Sequence, residues 1–203
     1  MYIIGLTGGI SSGKSTVLKT LRSLGATIIE VDKTAHIIME PGQPAWKELV
    51  DYFGDEILTV DQKINRTILG TLVFNHPDWL KKLNQITHPR VIEYLESHLN
   101  ELRKTKPQGV IVLEVPLLYE SGMNQMCDQV WVVWVDYETQ LRRLRKRDGV
   151  SHEDAVKRIA SQMSLDEKAK RADMVVDNTG TPEATASATT KYYHAFLHSA
   201  KVE

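Results

Sequence analysis

The segment Gly8-Gly9-Ile10-Ser11-Ser12-Gly13-Lys14-Ser15 fits G-x-x-x-x-G-K-[ST] in full. The spacing suits a triphosphate. Glycines let backbone N–H groups converge on phosphate oxygens. A helix beginning near Gly13 adds the positive end of its dipole. Lys14 brings a charge to the β and γ phosphates, and the Ser15 hydroxyl suits Mg²⁺. Gly9, Ile10, Ser11, Ser12, Gly13, Lys14, Ser15 and Thr16 are therefore expected to hold ATP, with Ser15 also at the metal. Ser11 and Ser12 are less permissive than glycine, so the loop must tolerate a Cβ at both.

A second group of residues bears on what happens to the triphosphate. Gln140, Arg143 and Arg147 lie at i, i+3 and i+7, on one helix face, with Arg158 and Gln162 on a helix further on. Ser151 with Asp154, and Ser164 with Glu167, mark helix starts. An arginine-rich helical hairpin of this kind resembles the lid of small-molecule P-loop kinases, which brings arginines to the transferring phosphoryl group and excludes water. The competing reading is a solvated charged face. Arg143 is the expected lid contribution to catalysis. No N-K-x-D guanine motif is present. Of two strands that end in an acid, Asp136 reads as a helix N-cap, and Glu114 is either a water-mediated metal contact or structural. An acceptor hydroxyl needs a carboxylate to orient it. Asp32, directly after a strand, is the candidate, with Glu30 two residues earlier on the same strand face; Asp32 capping the following helix is the alternative.

These residues need a frame that gathers them. Tyr2–Leu6, Thr27–Val31, Gly109–Val115, Gln129–Val135 and Met174–Asp177 are apolar runs read as strands. Val17, Leu18, Leu21 and Leu24 have helical spacing, with Gly25 as the C-terminal stop. Between residues 33 and 107 helices are expected around 45–53, 66–74, 78–87 and 89–104, with Pro89 as a first helical residue. Residues 137–172 read as helical and charged, and 182–199 as a final helix. Alternating strands and helices imply an α/β fold: a three-layer, doubly wound parallel sheet of P-loop kinase type, with ligands at the carboxyl edge of the strands. The expected division is a single domain over 1–203: a core of about 1–32, 108–136 and 173–203, a helical acceptor-binding insertion of about 33–107, and a helical lid of about 137–172.

Composition narrows the class. The 203 residues carry 25 Lys+Arg and 26 Asp+Glu, a net charge of -1. A near-neutral chain lacks the charge excess of a general nucleic-acid binder. Cys127, the single cysteine, cannot form an internal disulfide, which fits a reducing, cytoplasmic setting. It reads as an ordinary, partly buried thiol. No apolar run has the length of a membrane span. The apolar start, Met1–Gly9, lacks a basic leader and reads as a strand rather than a signal peptide. Oligomeric state is not written in the sequence.

Several further segments resemble the dephospho-coenzyme A kinase family. They are Leu6-Thr7-Gly8-Gly9-Ile10 with the loop that follows, Asp32 to His36, Pro41-Gly42 with Pro44-Ala45, Phe53-Gly54, and Ile86-Thr87-His88-Pro89. Pro116-Leu117-Leu118 with Glu120, Gln140 to Arg147, Arg158 with Gln162, and Asp177-Asn178 with Gly180 continue the series. The resemblance implies transfer of a phosphoryl group from ATP, with Mg²⁺, to the ribose 3′-hydroxyl of dephospho-coenzyme A. It implies that Asp32 faces that hydroxyl, and that His88, Pro89, Leu117 and Glu120 lie at the acceptor. Arg147 and Asn178 would hold the adenine end of ATP. The chain departs from the family's usual wording at Ser11 (usually Gly), at Glu30 (usually Asp) and at Asn65-Arg66. Rival readings are another P-loop nucleotide or metabolite kinase, and a nucleotide-binding regulatory module without an acceptor.

Overall fold

The computed structural model describes residues 1–74 and 76–200, with only the backbone at Phe74. The last three residues of the expected core, 201–203, therefore lie outside the described residues. The contacts divide the chain into two compact units, Met1–Glu30 with Lys106–Glu203, and Val31–Thr105.

The first unit is built on five parallel strands: β1 (Tyr2–Gly8), β2 (Thr27–Glu30), β3 (Val110–Glu114), β4 (Gln129–Trp134) and β5 (Met174–Asp177). Their order in the sheet is β2-β3-β1-β4-β5. β1 sits in the centre, so the loop that leaves its carboxyl end opens at the middle of the ligand edge. Alternate residues of the strands point to opposite faces. Ile4, Leu6, Val112, Trp131, Val133 and Val176 form one buried face. It is covered by Val17 and Leu21 of α1 (Lys14–Ser23) and by Tyr193 and Phe196 of α9 (Pro182–Ala200). On the opposite face a Cβ on Gly5 would fall 2.6 Å from Cys127 Sγ and 2.9 Å from a Leu118 methyl. Packing of the 117–127 segment requires glycine there.

Helix ends follow their local chemistry. Gly25, at φ 92°, closes α1. The Gly25 N–H donates to Arg22 O and the Ala26 N–H to Leu21 O, the paired bonds of a Schellman stop. The carboxylate of Asp136 accepts from Thr139 N at 2.8 Å and starts α6 (Tyr137–Asp148). The hydroxyls of Ser151 and Ser164 cap α7 (His152–Ala160) and α8 (Leu165–Arg171). The charged 137–172 stretch is thus three short helices. Leu141, Leu144, Ala155 and Ile159 make a small apolar cluster of their own.

The second unit holds α2 (Val31–Ile37), α3 (Pro44–Phe53), α4 (Arg66–Phe74) and α5 (Pro77–Thr105). Two expectations need correction here. Val31 does not extend the strand; it opens α2, so Asp32 lies in the first helical turn, where a carboxylate complements the helix dipole. Pro89 does not start a helix either. It lies inside the continuous α5. A proline there forfeits a backbone bond at a cost of about 3 kcal/mol, offset by burial of Ile86, Val91, Leu95 and Leu99 on either side of it. Asn65, the departure from the family's wording, accepts from Ile68 N at 3.1 Å. It caps α4, work that an aspartate does equally well.

Candidate functional site

The turn after β1 is shaped from several directions. Ser11 adopts φ 57°, a left-handed conformation that suits the family's usual glycine better. Gly13 has φ 86°. A Cβ on it would fall 2.1 Å from the side-chain nitrogen of Asn178. The Asn178 amide donates to Ser12 O at 2.7 Å and accepts from the Thr185 hydroxyl at 2.6 Å. Both ends of this buried side chain are thus engaged within the protein, and its amide ties the loop at Ser12 to α9 through Thr185.

The loop forms one wall of an open cleft of about 410 Å³, lined by Ser11, Ser12, Gly13, Lys14, Ser15, Glu114, Arg143 and Arg147. Two of the lid arginines thus face the same space as the loop lysine. The third, Arg158, is tied at 3.1 Å to Asp148, whose carboxylate also holds Arg147 at 2.6 Å. Hydrogen bonding from Arg147, with the charges of both arginines, keeps the Asp148 carboxyl below its ordinary range. Asp148 therefore fixes the direction of both guanidinium groups. The hydroxyls of Ser11 and Ser12 are buried and have no hydrogen-bond partner among the described residues. Buried donors of this kind suit phosphate oxygens.

Ile10 and Gly9 lie in the loop as expected, but Ile10 does not turn its amide to the cleft. Its N–H donates to Gln162 Oε1 at 3.0 Å, and its carbonyl accepts from Gln140 Nε2 at 2.9 Å. An N–H committed in this way does not also converge on a phosphate, so the Ile10 amide is held to the lid. Gly9 packs against the same lid residues: a Cβ on it would fall 2.4 Å from Gln140 Nε2 and 3.1 Å from Leu165.

Glu30 and Glu114 end neighbouring strands in register. Glu30 also lies 3.6 Å from Arg22, and Glu114 lines the cleft. Ser15 and Glu114 offer hard oxygen donors beside Lys14, a set that fits a Mg²⁺ retaining waters and phosphate oxygens. No cluster of three His, Cys, Asp or Glu side chains suited to a metal exists among the described residues.

The segment after β3 carries Leu117, 43% exposed, and Glu120. Glu120 is anchored. Its carboxylate pairs at 3.0 Å with Lys168 and accepts from Met163 N at 3.0 Å. Lys168 is fully buried and also donates to Pro116 O at 2.8 Å. Sequence reasoning missed Lys168, because a lysine within Asp166-Glu167-Lys168-Ala169-Lys170-Arg171 reads as solvated. Cys127 matches its reading as an ordinary thiol: burial, aided by the charge of Asp128, pushes it up to about 12.

In the helical unit Asp32 is exposed at the start of α2. Arg66 pairs with His36 and feels the charge of Asp32, while burial pulls its own pKa down. Arg66 is thus the cation that accompanies Asp32, and sequence reasoning gave it no role. His88 is half-buried, which lowers its pKa, and Pro89 is exposed.

A parallel sheet whose central strand enters a G-x-x-x-x-G-K-S loop, faced by arginines from a helical lid, defines a P-loop protein of the kinase type. Known proteins narrow this further. The family model described as dephospho-CoA kinase matches residues 2–183, and the chain belongs to that family. It is 48% identical over 185 residues to the dephospho-CoA kinase of Carboxydothermus hydrogenoformans, covering 90% of this chain and 88% of that one. The crystal structure of a Thermus thermophilus protein superposes with a TM-score of 0.82 at 35% identity, covering 97% of each chain. Dephospho-CoA kinase from Campylobacter jejuni gives 0.74 at 31%, covering 96% of each.

Proposed function

We propose that the chain transfers the γ-phosphoryl group of ATP to the ribose 3′-hydroxyl of dephospho-coenzyme A, giving coenzyme A and ADP, the last step of coenzyme A biosynthesis. The observation that carries this reading is the cleft shared by the phosphate loop and two lid arginines, in a chain of the dephospho-CoA kinase family.

The protein's part is positioning and charge. The amides of Ser11, Gly13, Lys14 and Ser15 hold the phosphates, those of Ser12 and Thr16 being bonded to Gly9 O and Gly13 O, and Lys14 sits at the β and γ oxygens. Arg143 stabilises the charge on the transferring group, and Arg147 contacts the nucleotide from the direction that Asp148 sets. Asn178 serves ATP by fixing the loop at Ser12. Ser15 and Glu114 would hold Mg²⁺, which would neutralise phosphate charge. Asp32 accepts a hydrogen bond from the attacking hydroxyl; it follows the carboxyl end of β2 by two residues. Arg66, which feels the charge of Asp32, adds a cation on the acceptor side. The family resemblance supports His88, Pro89 and Leu117 as acceptor residues, with Glu120 holding the Leu117 segment in place through Lys168 and Met163. Among the described residues no helix is long and apolar enough to cross a membrane, and a cytoplasmic setting suits the lone thiol.

The deciding experiment is ADP release from Mg-ATP with and without dephospho-coenzyme A, together with the mass of the product. ADP that depends on this acceptor, and a product heavier by one phosphoryl group, is the expected result. Acceptor-independent hydrolysis, or dependence on a different nucleotide or alcohol, would replace the substrate while leaving the phosphate site standing.

A further inference from the structure

Ile10 belongs to the phosphate loop by sequence and to the lid by contact. Its side chain packs on the lid cluster of Leu141, Leu144, Ala155 and Ile159. Both of its backbone polar groups are taken by lid glutamines: Gln140 of α6 donates to the carbonyl, and Gln162, just after α7, accepts from the N–H. Gln140 is buried and stands one turn before Arg143 and two before Arg147 on the same helix. A shift at Ile10 therefore moves the arginines relative to the loop that holds the phosphates.

We infer that Gln140 and Gln162 are positioning residues: together they clasp Ile10 and fix the lid arginines in register with the phosphate loop. The inference rests on the cleft being the ATP site, but not on the identity of the acceptor. The clasp uses the two glutamines in opposite senses. Gln140 must donate and Gln162 must accept, because their partners are a carbonyl and an N–H. A carboxylate can replace the second and not the first. Both side chains also line a cavity of about 210 Å³, so a residue of equal size is accommodated.

The test compares Gln140→Glu, Gln140→Leu, Gln162→Glu and Gln162→Leu for kcat at saturating Mg-ATP, acceptor KM and thermal midpoint. Displacing reacting groups by about 1 Å costs on the order of a hundredfold in rate, and kcat should fall toward that loss in Gln140→Glu and both leucine variants, at unchanged acceptor KM. Gln162→Glu keeps the acceptor atom and should lose no more than about fivefold in kcat. The leucine variants separate loss of the bond from burial of a charge. Equal losses in the two glutamate variants, undiminished kcat in the leucine variants, or losses that simply track the thermal midpoint would each overturn the inference. If the wild-type chain shows no turnover with dephospho-coenzyme A, the same order is read from the affinity of a fluorescent ATP analogue. Tighter binding by Gln162→Glu than by Gln162→Leu then supports the clasp, and the reverse refutes it.

Discussion

The surroundings of the phosphate loop and the helical unit are held together differently. Around the loop, side chains bond to backbone at fixed points: Asn178 to Ser12, Gln140 and Gln162 to Ile10, Lys168 to Pro116. In the helical unit Ala45, Leu49, Leu69, Ile86, Val91 and Leu95 are buried along helix faces. Its ion pairs lie at the surface, such as Arg90 with Glu48 and Glu93. Ile37, Tyr52, Val60, Ile68 and Leu80 stay exposed there. A site that stabilises a fleeting charge needs donors fixed before the reaction begins. In the helical unit the side-chain bonds to backbone are shorter in range, as Trp46 to Gln62 O and Asn65 to Ile68 N, and the buried long-range contacts are apolar packing.

That contrast makes quantitative claims. Asp32 is the one residue of the helical unit assigned to the reaction itself, and Asp32→Ala should lower kcat by about 10²–10⁴-fold with an unchanged circular-dichroism melt. Near-native turnover would return the chemistry entirely to the other unit. Near the loop, Glu120→Ala strands the buried Lys168 ammonium and should cost about 3 kcal/mol by urea unfolding, the low end for a broken buried pair because Glu120 reaches solvent. Lys168→Met leaves a partly hydrated carboxylate and a Pro116 carbonyl still bonded to the Thr7 hydroxyl, and should cost about 1–2 kcal/mol. A Glu120→Ala protein of full stability but raised acceptor KM would make Glu120 a binding residue.

Asn178→Ala leaves the Ser12 carbonyl without its buried donor, for a loss of about 1–3 kcal/mol; calorimetry of Mg-ATP binding should show weaker affinity as well. Ser11→Gly acts in the other direction. Relief of the left-handed strain, less the added freedom of the unfolded chain, should stabilise by about 0.5–1 kcal/mol. The smallest effect belongs to Arg90→Ala, whose thermal midpoint should be indistinguishable from wild type, as for an exposed ion pair. A clear loss there would show that the helical unit also depends on its long-range ion pairs.

What could be read from the sequence was local. The apolar runs of the strands, the Gly25 stop and the Ser151 and Ser164 caps each carry their signal within a few residues. The stop and caps stand in the structure, and the strands do so to within about two residues at their ends, with Val31 starting a helix instead. The phosphate loop is local too. Pro89 misled because tertiary packing of α5 outweighs a local breaker. Lys168 and Asn178 were illegible in their roles because their partners, Glu120 and Ser12, lie 48 and 166 residues away in sequence. Ile10 shows a subtler limit. Its place in the loop was plain, but the direction of its N–H is set by glutamines far along the chain.

The contact between Gly5 and Cys127 gives the chain an unexpected convenience. A thiol pushed up to about 12 is more than a thousandfold poorer in thiolate at neutral pH than an exposed cysteine titrating near 8.5. The native thiol is therefore expected to react slowly with maleimides. One cysteine introduced on the lid and another on a helix of the second unit would take a dye pair selectively, and the distance between those positions during turnover could be followed without first removing the natural thiol.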